Sequence, residues 1–145
     1  RAFLRGLGLS DEHRVIVIGV GHMGRALAGY RGFAERGLRV VGIFDIAPDI
    51  IGTMAGNPEL GLLEIQPLSD LPGFVARHHV SIAVIATPAD AAQSVADLVV
   101  RAGVTSILNL SAVHLTVPGS VVVRPVDLAT EIQILAVHAG QKGTR

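Results

Sequence analysis

Short apolar runs rich in β-branched residues alternate along this chain with segments whose apolar residues recur every three or four positions. The apolar runs predict buried strands at residues 14–18, 38–44, 81–86, 105–110 and 121–124. The segments with the longer period predict helices at residues 22–36, 68–79, 88–103 and 128–139. This alternation predicts an α/β fold, a single domain built on a mostly parallel sheet.

Two stretches interrupt the alternation. Residues 46–67 are rich in proline and glycine and predict turns, with at most a brief helix from Asp49 and a short strand at residues 62–65. Pro125 cannot donate a hydrogen bond to a sheet ladder, so the strand that it follows is expected at the edge of the sheet.

The apolar positions also indicate which helix faces are buried. The face of the first helix consists of Met23, Ala26, Leu27, Tyr30 and Ala34, which places Tyr30 in the core on sequence alone. Gly29 and Gly32 each cost this helix about 1 kcal/mol relative to alanine, which predicts that another backbone approaches closely near Tyr30. The buried faces of the next two helices are expected at Leu71, Phe74, Val75, Ala92, Val95, Ala96 and Val99. The last helix is apolar on more than one side, which predicts docking on a second subunit.

The composition narrows the function classes. Half of the 145 residues are apolar, but only one Tyr and four Phe are aromatic, which suits an aliphatic core around a parallel sheet. Twelve basic residues balance twelve acidic ones, unlike the basic surface of a nucleic-acid-binding domain. The chain has no cysteine, its six histidines show no ligand spacing, and no segment has the length of a membrane span. We therefore expect a cytoplasmic protein that holds no metal and does not enter a membrane.

A glycine-rich turn directly follows the first predicted strand. It has the pattern G-x-G-x-x-G between a strand and a helix, and it comprises Gly19, Val20, Gly21, His22, Met23 and Gly24. Gly19 permits the tight turn, Gly21 allows a diphosphate to approach the backbone, and Gly24 lets the helix lie against the strand. The unpaired amides at the start of the helix would bind the diphosphate without a lysine. The pattern predicts a Rossmann-type, doubly wound sheet that binds a dinucleotide at these six residues.

A carboxylate stands where such a site requires one. Asp45 ends the second predicted strand, 21 residues after Gly24, and is placed to accept hydrogen bonds from the ribose hydroxyls of adenosine. A carboxylate also repels a 2′-phosphate, and no arginine follows it directly, so NAD(H) is favoured over NADP(H). Thr87, Pro88 and Asn109 follow the next two strands. We expect them at the same crevice, with Thr87 capping a helix whose first residue is Pro88.

The sequence contains no pattern for catalysis. It has no G-x-S-x-G nucleophile turn, no G-K-[ST] phosphate loop and no pair of carboxylates suited to acid–base chemistry. We therefore expect a nucleotide-binding module rather than an enzyme. Two alternatives stay open from the residues alone: the coenzyme half of an NAD-dependent dehydrogenase, and a CoA-binding module of related topology. Asp45 disfavours CoA, because the ribose of CoA carries a phosphate.

Taken together, the motifs resemble one family. Their order over residues 7–138 is similar to the C-terminal, NAD(H)-binding domain of the Rex redox-sensing transcriptional repressors. The matching segments are G-V-G-H-M-G-R-A-L-A-G-Y at residues 19–30, F-D at 44–45, I-A-T-P-A at 85–89, S-I-L-N at 106–109 and V-D-L-A-T-E-I-Q at 126–133. The chain departs from the family's common G-x-G-N-L-G at His22 and Met23, and from its common N-F-A-P at residues 110–112.

The resemblance implies a homodimeric sensor of the NADH/NAD+ ratio. In that family, NADH releases the repressor from operator DNA, which an N-terminal winged-helix domain contacts. Residues 1–12 are interpreted as the remnant of a linker or helix from such a domain, missing from this chain. Residues 13–145 would form the NAD(H)-binding domain with a C-terminal dimerisation helix. The resemblance further implies that Tyr30 and Asp127 couple the cofactor state to domain orientation.

Overall fold

A seven-stranded sheet forms the centre of the domain. The computed structural model describes residues 12–19, 21–126, 134–137 and 139. The strands are β1 His13–Ile18, β2 Leu38–Asp45, β3 Met54–Asn57, β4 Gly61–Pro67, β5 Ile82–Ile85, β6 Ser106–Asn109 and β7 Val122–Pro125. They lie in the order β3-β4-β2-β1-β5-β6-β7. All neighbours run parallel except β3 and β4, which are antiparallel.

The strand order reverses at β1. This strand pairs with β2 on one side and with β5 on the other, so the chain winds outward from it in both directions. In an open parallel sheet, the carboxyl ends of the strands at such a reversal form a crevice that binds ligands. The doubly wound, mostly parallel sheet predicted from the sequence is confirmed.

Two helices cover one face of the sheet. The α-helices, numbered along the chain, are α1 His22–Ala28, α2 Gly32–Glu35, α3 Leu71–His78 and α4 Ala89–Arg101. The two that cover this face are α3 and α4. The buried residues of α3 and α4 are those that the periodicity predicted: Leu71, Phe74, Val75, Ala92, Val95, Ala96 and Val99. They form the largest apolar cluster together with Ile16, Ile18, Ala83, Ile85 and Ile107. The aliphatic strands and these two helices therefore supply most of the core.

The first predicted helix is broken in two. α1 and α2 are separated by residues 29–31, so the prediction of one helix over residues 22–36 is wrong. The predicted core position of Tyr30 is also wrong, since 51% of this residue is exposed. The expected close approach is confirmed: a Cβ atom added to Gly29 would lie 3.4 Å from the carbonyl oxygen of Gly56 in β3, and one added to Gly32 would collide with the Tyr30 ring. The helix is therefore interrupted where Gly29 packs against β3 and Gly32 packs against the Tyr30 ring.

Residues 46–67 contain more regular structure than their composition predicts. The short strand expected at residues 62–65 is confirmed, and it belongs to the longer β4, which pairs with both β2 and β3. The brief helix expected from Asp49 is wrong. The amide of Ile50 donates to the carbonyl of Ala47 at 3.0 Å in a turn, and Gly52 then adopts a φ of +92°. A left-handed residue at that point ends the turn before a helix can form.

One strand carries an extra residue relative to its neighbour. Val15 of β1 pairs with Val40 of β2, but Ile16 pairs with Gly42, so Val41 has no partner in β1. Val40 packs with Ile43 on one face of the sheet, whereas Val41 packs in the largest cluster on the other face. This irregularity is a β-bulge near the middle of β2.

The last strand lies at the sheet edge, as predicted, and Pro125 pairs with Asn109 at its end. Beyond it, the predicted C-terminal helix is seen at residues 134–137 and 139. Three apolar residues of that helix, Ile134, Leu135 and Val137, are 59%, 67% and 62% exposed. Asp127 and residues 1–11 lie outside the described residues.

Candidate functional site

A cleft of about 520 Å³ opens at the carboxyl ends of β1, β2 and β5. It lies at the reversal of strand order, and its volume falls in the range of small-molecule sites. Its lining brings together five of the predicted site residues, which are Gly19, Gly21, Asp45, Thr87 and Pro88. The cleft is therefore the place where the sequence-predicted site assembles.

Two glycines of the turn are required by the fold itself. Gly19 has a φ of +98°, and its amide donates to the carbonyl of Phe44 in β2 at 2.9 Å. A Cβ atom at Gly19 would lie 2.8 Å from the carbonyl carbon of Ala86, and one at Gly24 would collide with the carbonyl oxygen of Gly19. Side chains at either position would force the end of β1 away from α1 or from β5.

Gly21 is different, because nothing in the fold requires a glycine there. Its φ is −77°, which any residue can adopt. Among the described residues other than its two chain neighbours, no atom would lie within 4 Å of a Cβ atom added to Gly21, and the residue lines the cleft. Because Gly21 has no side chain, a ligand in the cleft could contact its backbone directly.

Asp45 is held at the mouth of the cleft by the backbone that follows it. Its Oδ1 atom accepts hydrogen bonds from the amides of Ile46 at 2.6 Å and Ala47 at 3.1 Å. The residue is only partly buried. These two bonds fix the orientation of the carboxylate before any ligand binds, so the side chain is preorganised to accept hydrogen bonds from hydroxyl groups.

Thr87 does not have the role that the sequence suggested. It was expected to cap α4, but this helix begins at Ala89, Pro88 occupies the capping position, and no side chain caps it. The prediction of a threonine cap is wrong. Within the described part of the chain, the Oγ1 atom of Thr87 is buried and has no hydrogen-bond partner. A buried hydroxyl without a partner is costly, and Thr87 is one of the residues that line the cleft.

Asn109 lies at the same edge of the sheet but is not part of the lining. It is 2% exposed. Its Oδ1 accepts from the amide and the hydroxyl of Ser111, and its Nδ2 donates to the carbonyl of Val113 at 2.8 Å. The structure thus gives Asn109 a role in holding the loop after β6, and its predicted contact with a cofactor stays a prediction.

The remaining predicted residues are not brought into the cleft. Val20 and Asp127 lie outside the described residues, and for His22 and Met23 the structure describes the backbone at the start of α1 but not the side chains. Tyr30 lies in the break between α1 and α2, where its ring meets that of Phe33 edge to face at a centroid distance of 4.9 Å. It borders a different cleft, next to the β3–β4 hairpin.

Sequence reasoning missed several apolar residues of the lining. They are Ile18, Ile46, Leu68, Ala86, Ala91 and Val95, together with Ser94. Ile46 is 68% exposed although it is large and apolar. Its position directly after Asp45 was a usable signal, because the residue that follows a cleft carboxylate is placed to line the same cleft. Leu68 begins the 3₁₀ helix Leu68–Asp70 after β4, and no sequence pattern marked it.

The described residues show neither a metal site nor a membrane span. No three of their His, Asp or Glu side chains come together as metal ligands. Their helices are all too short or too polar to cross a bilayer. Among the described residues that line the cleft, the side chains with polar groups are those of Asp45, Thr87 and Ser94.

Several known proteins are similar to this chain in sequence and in fold. Residues 10–113 match the CoA binding domain family. The redox-sensing transcriptional repressor Rex of Streptomyces avermitilis is 49% identical over 138 residues, which are 95% of this chain and 53% of that protein. The chain thus spans about half the length of this curated relative.

Solved structures agree with the sequence comparison. The crystal structure of RSP, a Rex-family repressor, has a TM-score of 0.83 at 30% identity, covering 99% of this chain and 66% of RSP. RSP has also been solved with NADH, at a TM-score of 0.83 and 67% coverage of RSP, and with NAD+ and operator DNA, at a TM-score of 0.82 and 64% coverage.

Proposed function

The chain belongs to the CoA binding domain family and to the Rex redox-sensing transcriptional repressors, and from this we propose that it is the NAD(H)-binding regulatory domain of such a repressor. The domain would bind NADH more tightly than NAD+, and NADH would favour release of the whole protein from operator DNA. It would catalyse no reaction, and it would act in the cytoplasm. The DNA contacts would come from the part of the protein that corresponds to the remainder of the Rex relatives.

Gly21 is the observation that carries the binding proposal. It lines the cleft, yet neither its backbone conformation nor its packing calls for a glycine. Close approach of a ligand to the backbone explains the glycine, and the neighbouring amides of the turn would bind a diphosphate. Gly19, Val20, His22, Met23 and Gly24 complete that turn.

The other cleft residues fit the remaining parts of a dinucleotide. The preoriented carboxylate of Asp45 would accept hydrogen bonds from the adenosine ribose, and the unpartnered Thr87 hydroxyl would bond to a polar atom of the ligand next to Pro88. Ile46 and Leu68, which both line the cleft beside Asp45, would enclose the adenine ring between aliphatic side chains. NAD(H) supplies a nicotinamide ring that is cationic when oxidised and neutral when reduced.

The response to NADH would be a shift in population rather than a reaction. The ligand can favour the released arrangement only by the difference between its affinities for the two arrangements. We assign the pairing of subunits to the C-terminal helix, because Ile134, Leu135 and Val137 are exposed apolar residues on it. Tyr30 and Asp127 would couple the cofactor state to domain orientation, and Asn109 would contribute by fixing the loop after β6.

The binding proposal is tested by calorimetry with two matched glycine variants. Gly21→Ala should weaken NADH binding by at least about tenfold, which is about 1.4 kcal/mol. It should lower the free energy of unfolding by no more than about 1 kcal/mol, because a glycine at the start of a helix is only a moderate cap. Gly119→Ala is the control: a Cβ atom there also meets no described residue other than its chain neighbours within 4 Å, and Gly119 lies outside the cleft lining.

Two outcomes would contradict the proposal at different levels. Equal effects of the two glycine variants on NADH binding would remove the assignment of the cleft. Equal affinities of the unsubstituted chain for NADH and NAD+ would remove redox sensing but leave dinucleotide binding in place.

CoA is the second candidate ligand, because the matching family is described as a CoA binding domain. CoA carries a phosphate on its ribose, and the Asp45 carboxylate would repel it at the position where it would accept hydrogen bonds from an unmodified ribose. Titration with CoA should therefore show weaker binding than titration with NADH, and Asp45→Asn should narrow the difference. CoA binding that is tighter than NADH binding would favour the second candidate.

A further inference from the structure

The connection between β6 and β7 is a loop of residues 110–121 without regular secondary structure. Leu115 and Val121 are buried in the largest apolar cluster, which anchors the middle and the end of the loop. Polar side chains also hold the loop. Two amides provide most of these contacts, Asn109 at the end of β6 and Gln93 in α4.

Gln93 pairs with the loop backbone as a strand residue would. Its Oε1 accepts from the amide of Thr116 at 2.9 Å, and its Nε2 donates to the carbonyl of the same residue at 2.9 Å. The second hydrogen of Nε2 goes to Oδ1 of Asp97 at 2.9 Å, one helical turn further along α4. The Gln93 amide thus forms two hydrogen bonds to Thr116 and one to Asp97.

The two amides act on neighbouring parts of the loop. Asn109 binds Ser111 and Val113, and Gln93 binds Thr116. Removing the Gln93 contacts would leave Leu115 anchored in the core but would release the backbone of Thr116 that follows it. Gln93 therefore holds the β6–β7 loop in place rather than the rest of the domain.

α4 connects this contact to the proposed cofactor cleft. Ala91, Ser94 and Val95 line the cleft. Successive helix residues are 100° apart, so Gln93 lies on the opposite side of α4 from Ala91. One turn of α4 therefore lines the cleft on one side and contacts the β6–β7 loop on the other.

The loop begins where the second half of a dinucleotide would extend. With the adenosine half beside Asp45 at the end of β2, the other half crosses the reversal toward the ends of β5 and β6. The loop leaves the sheet directly after Asn109, the last residue of β6. The position of residues 110–116 would then determine what surrounds the nicotinamide end.

Resting on the proposed function, we infer that Gln93 is a positioning residue that sets the affinity for the nicotinamide end of NADH by holding the β6–β7 loop against α4. It touches no ligand. The diphosphate and ribose contacts at Gly21 and Asp45 do not depend on it.

The test compares NADH with ADP-ribose, which lacks the nicotinamide. Gln93→Leu removes all three hydrogen bonds at nearly constant volume. Gln93→Glu keeps an acceptor for the Thr116 amide but loses the donor. In both variants we expect NADH to bind about fivefold to tenfold more weakly, as for loss of one net hydrogen bond, and ADP-ribose to be unchanged within about twofold. Amide exchange of Thr116 should become faster.

Asp97→Ala is the matched control, because it removes one bond to Gln93 but leaves both bonds to Thr116 in place. It should change neither affinity. Thermal melting of each variant shows whether the chain is folded, and Gln93→Glu, which stays polar, serves if Gln93→Leu is not.

The outcomes separate this inference from the proposed function. Equal weakening of NADH and ADP-ribose would overturn the role assigned to Gln93, as would faster exchange at Thr116 with unchanged NADH affinity. If the unsubstituted chain bound neither ligand, the proposed function itself would fail, and the inference with it.

Discussion

Replacing Thr87 by valine should make the ligand-free domain more stable and should weaken the binding of NADH. The Oγ1 atom of Thr87 is buried and unpartnered within the described part of the chain. Valine has nearly the same shape, so Thr87→Val exchanges the orphaned hydroxyl for a methyl group without leaving a cavity. An unsatisfied buried polar group costs about 1 to 3 kcal/mol. We expect the free energy of unfolding to rise by part of that amount, about 1 kcal/mol.

The same change should remove a hydrogen bond to the bound dinucleotide. Loss of this bond, with the ligand atom left unpaired in the cleft, should weaken NADH binding about tenfold. Thermal melting without ligand should show a midpoint raised by about 2 to 4 °C for a domain of this size. Calorimetry gives the affinity, and Thr87→Ser, which keeps the hydroxyl, should restore it.

Thr53→Val is the matched control for this experiment. The Thr53 hydroxyl donates to the carbonyl of Ile50 at 2.7 Å, so its removal breaks an existing bond and should not raise the melting temperature. NADH affinity should not change, since Thr53 is not in the cleft lining. A lower stability of Thr87→Val, or an unaltered NADH affinity, would refute the reasoning that the hydroxyl is kept for a ligand.

Three further changes test other parts of the structure. Gly24→Ala should lower the free energy of unfolding by about 3 kcal/mol or more, because the added methyl group collides with the backbone of Gly19; a denaturation midpoint like that of Gly21→Ala would contradict this packing. Asn109→Leu should destabilise the domain by about 2 kcal/mol, because it strands the buried partners that Asn109 satisfies in the loop after β6; chemical denaturation measures the change, and a loss smaller than that of Gln93→Leu would be unexpected. Leu135→Asp should shift the chain toward monomer in sedimentation, and an unchanged mass would remove the C-terminal helix from the proposed subunit contact.

The sequence predicted the parts of the fold that rest on periodicity alone. The buried faces of α3 and α4 follow the spacing of their apolar residues, and the parallel sheet follows from short aliphatic runs between helices. The prediction failed where tertiary contacts decide. Apolar spacing continues from Ala26 through Ala34, but Gly29 and Gly32 pack against the hairpin and against Tyr30, and the helix ends between them.

The candidate site shows the same division. Gly19, Gly21 and Asp45 were found because a motif fixes their order and spacing, and the structure brings them into one cleft. Thr87 was placed correctly but given the wrong local role, because whether a hydroxyl caps a helix depends on a one-residue difference in where α4 begins. Gln93 gave no signal at all, since its partner is a backbone amide 23 residues away.

The unpaired Val41 in β2 sets which way every later residue of that strand points. Side chains alternate along a strand, so one extra residue exchanges the two faces for the rest of its length. Val41 packs on the same face as Phe44, and Val40 on the same face as Ile43. Unbroken alternation would put Val40 and Phe44 on one face instead. Deleting the extra residue would therefore move the side chain of Asp45 to the opposite face of the sheet. The proposed recognition of the ribose would therefore depend on the length of β2 as well as on its acidic last residue.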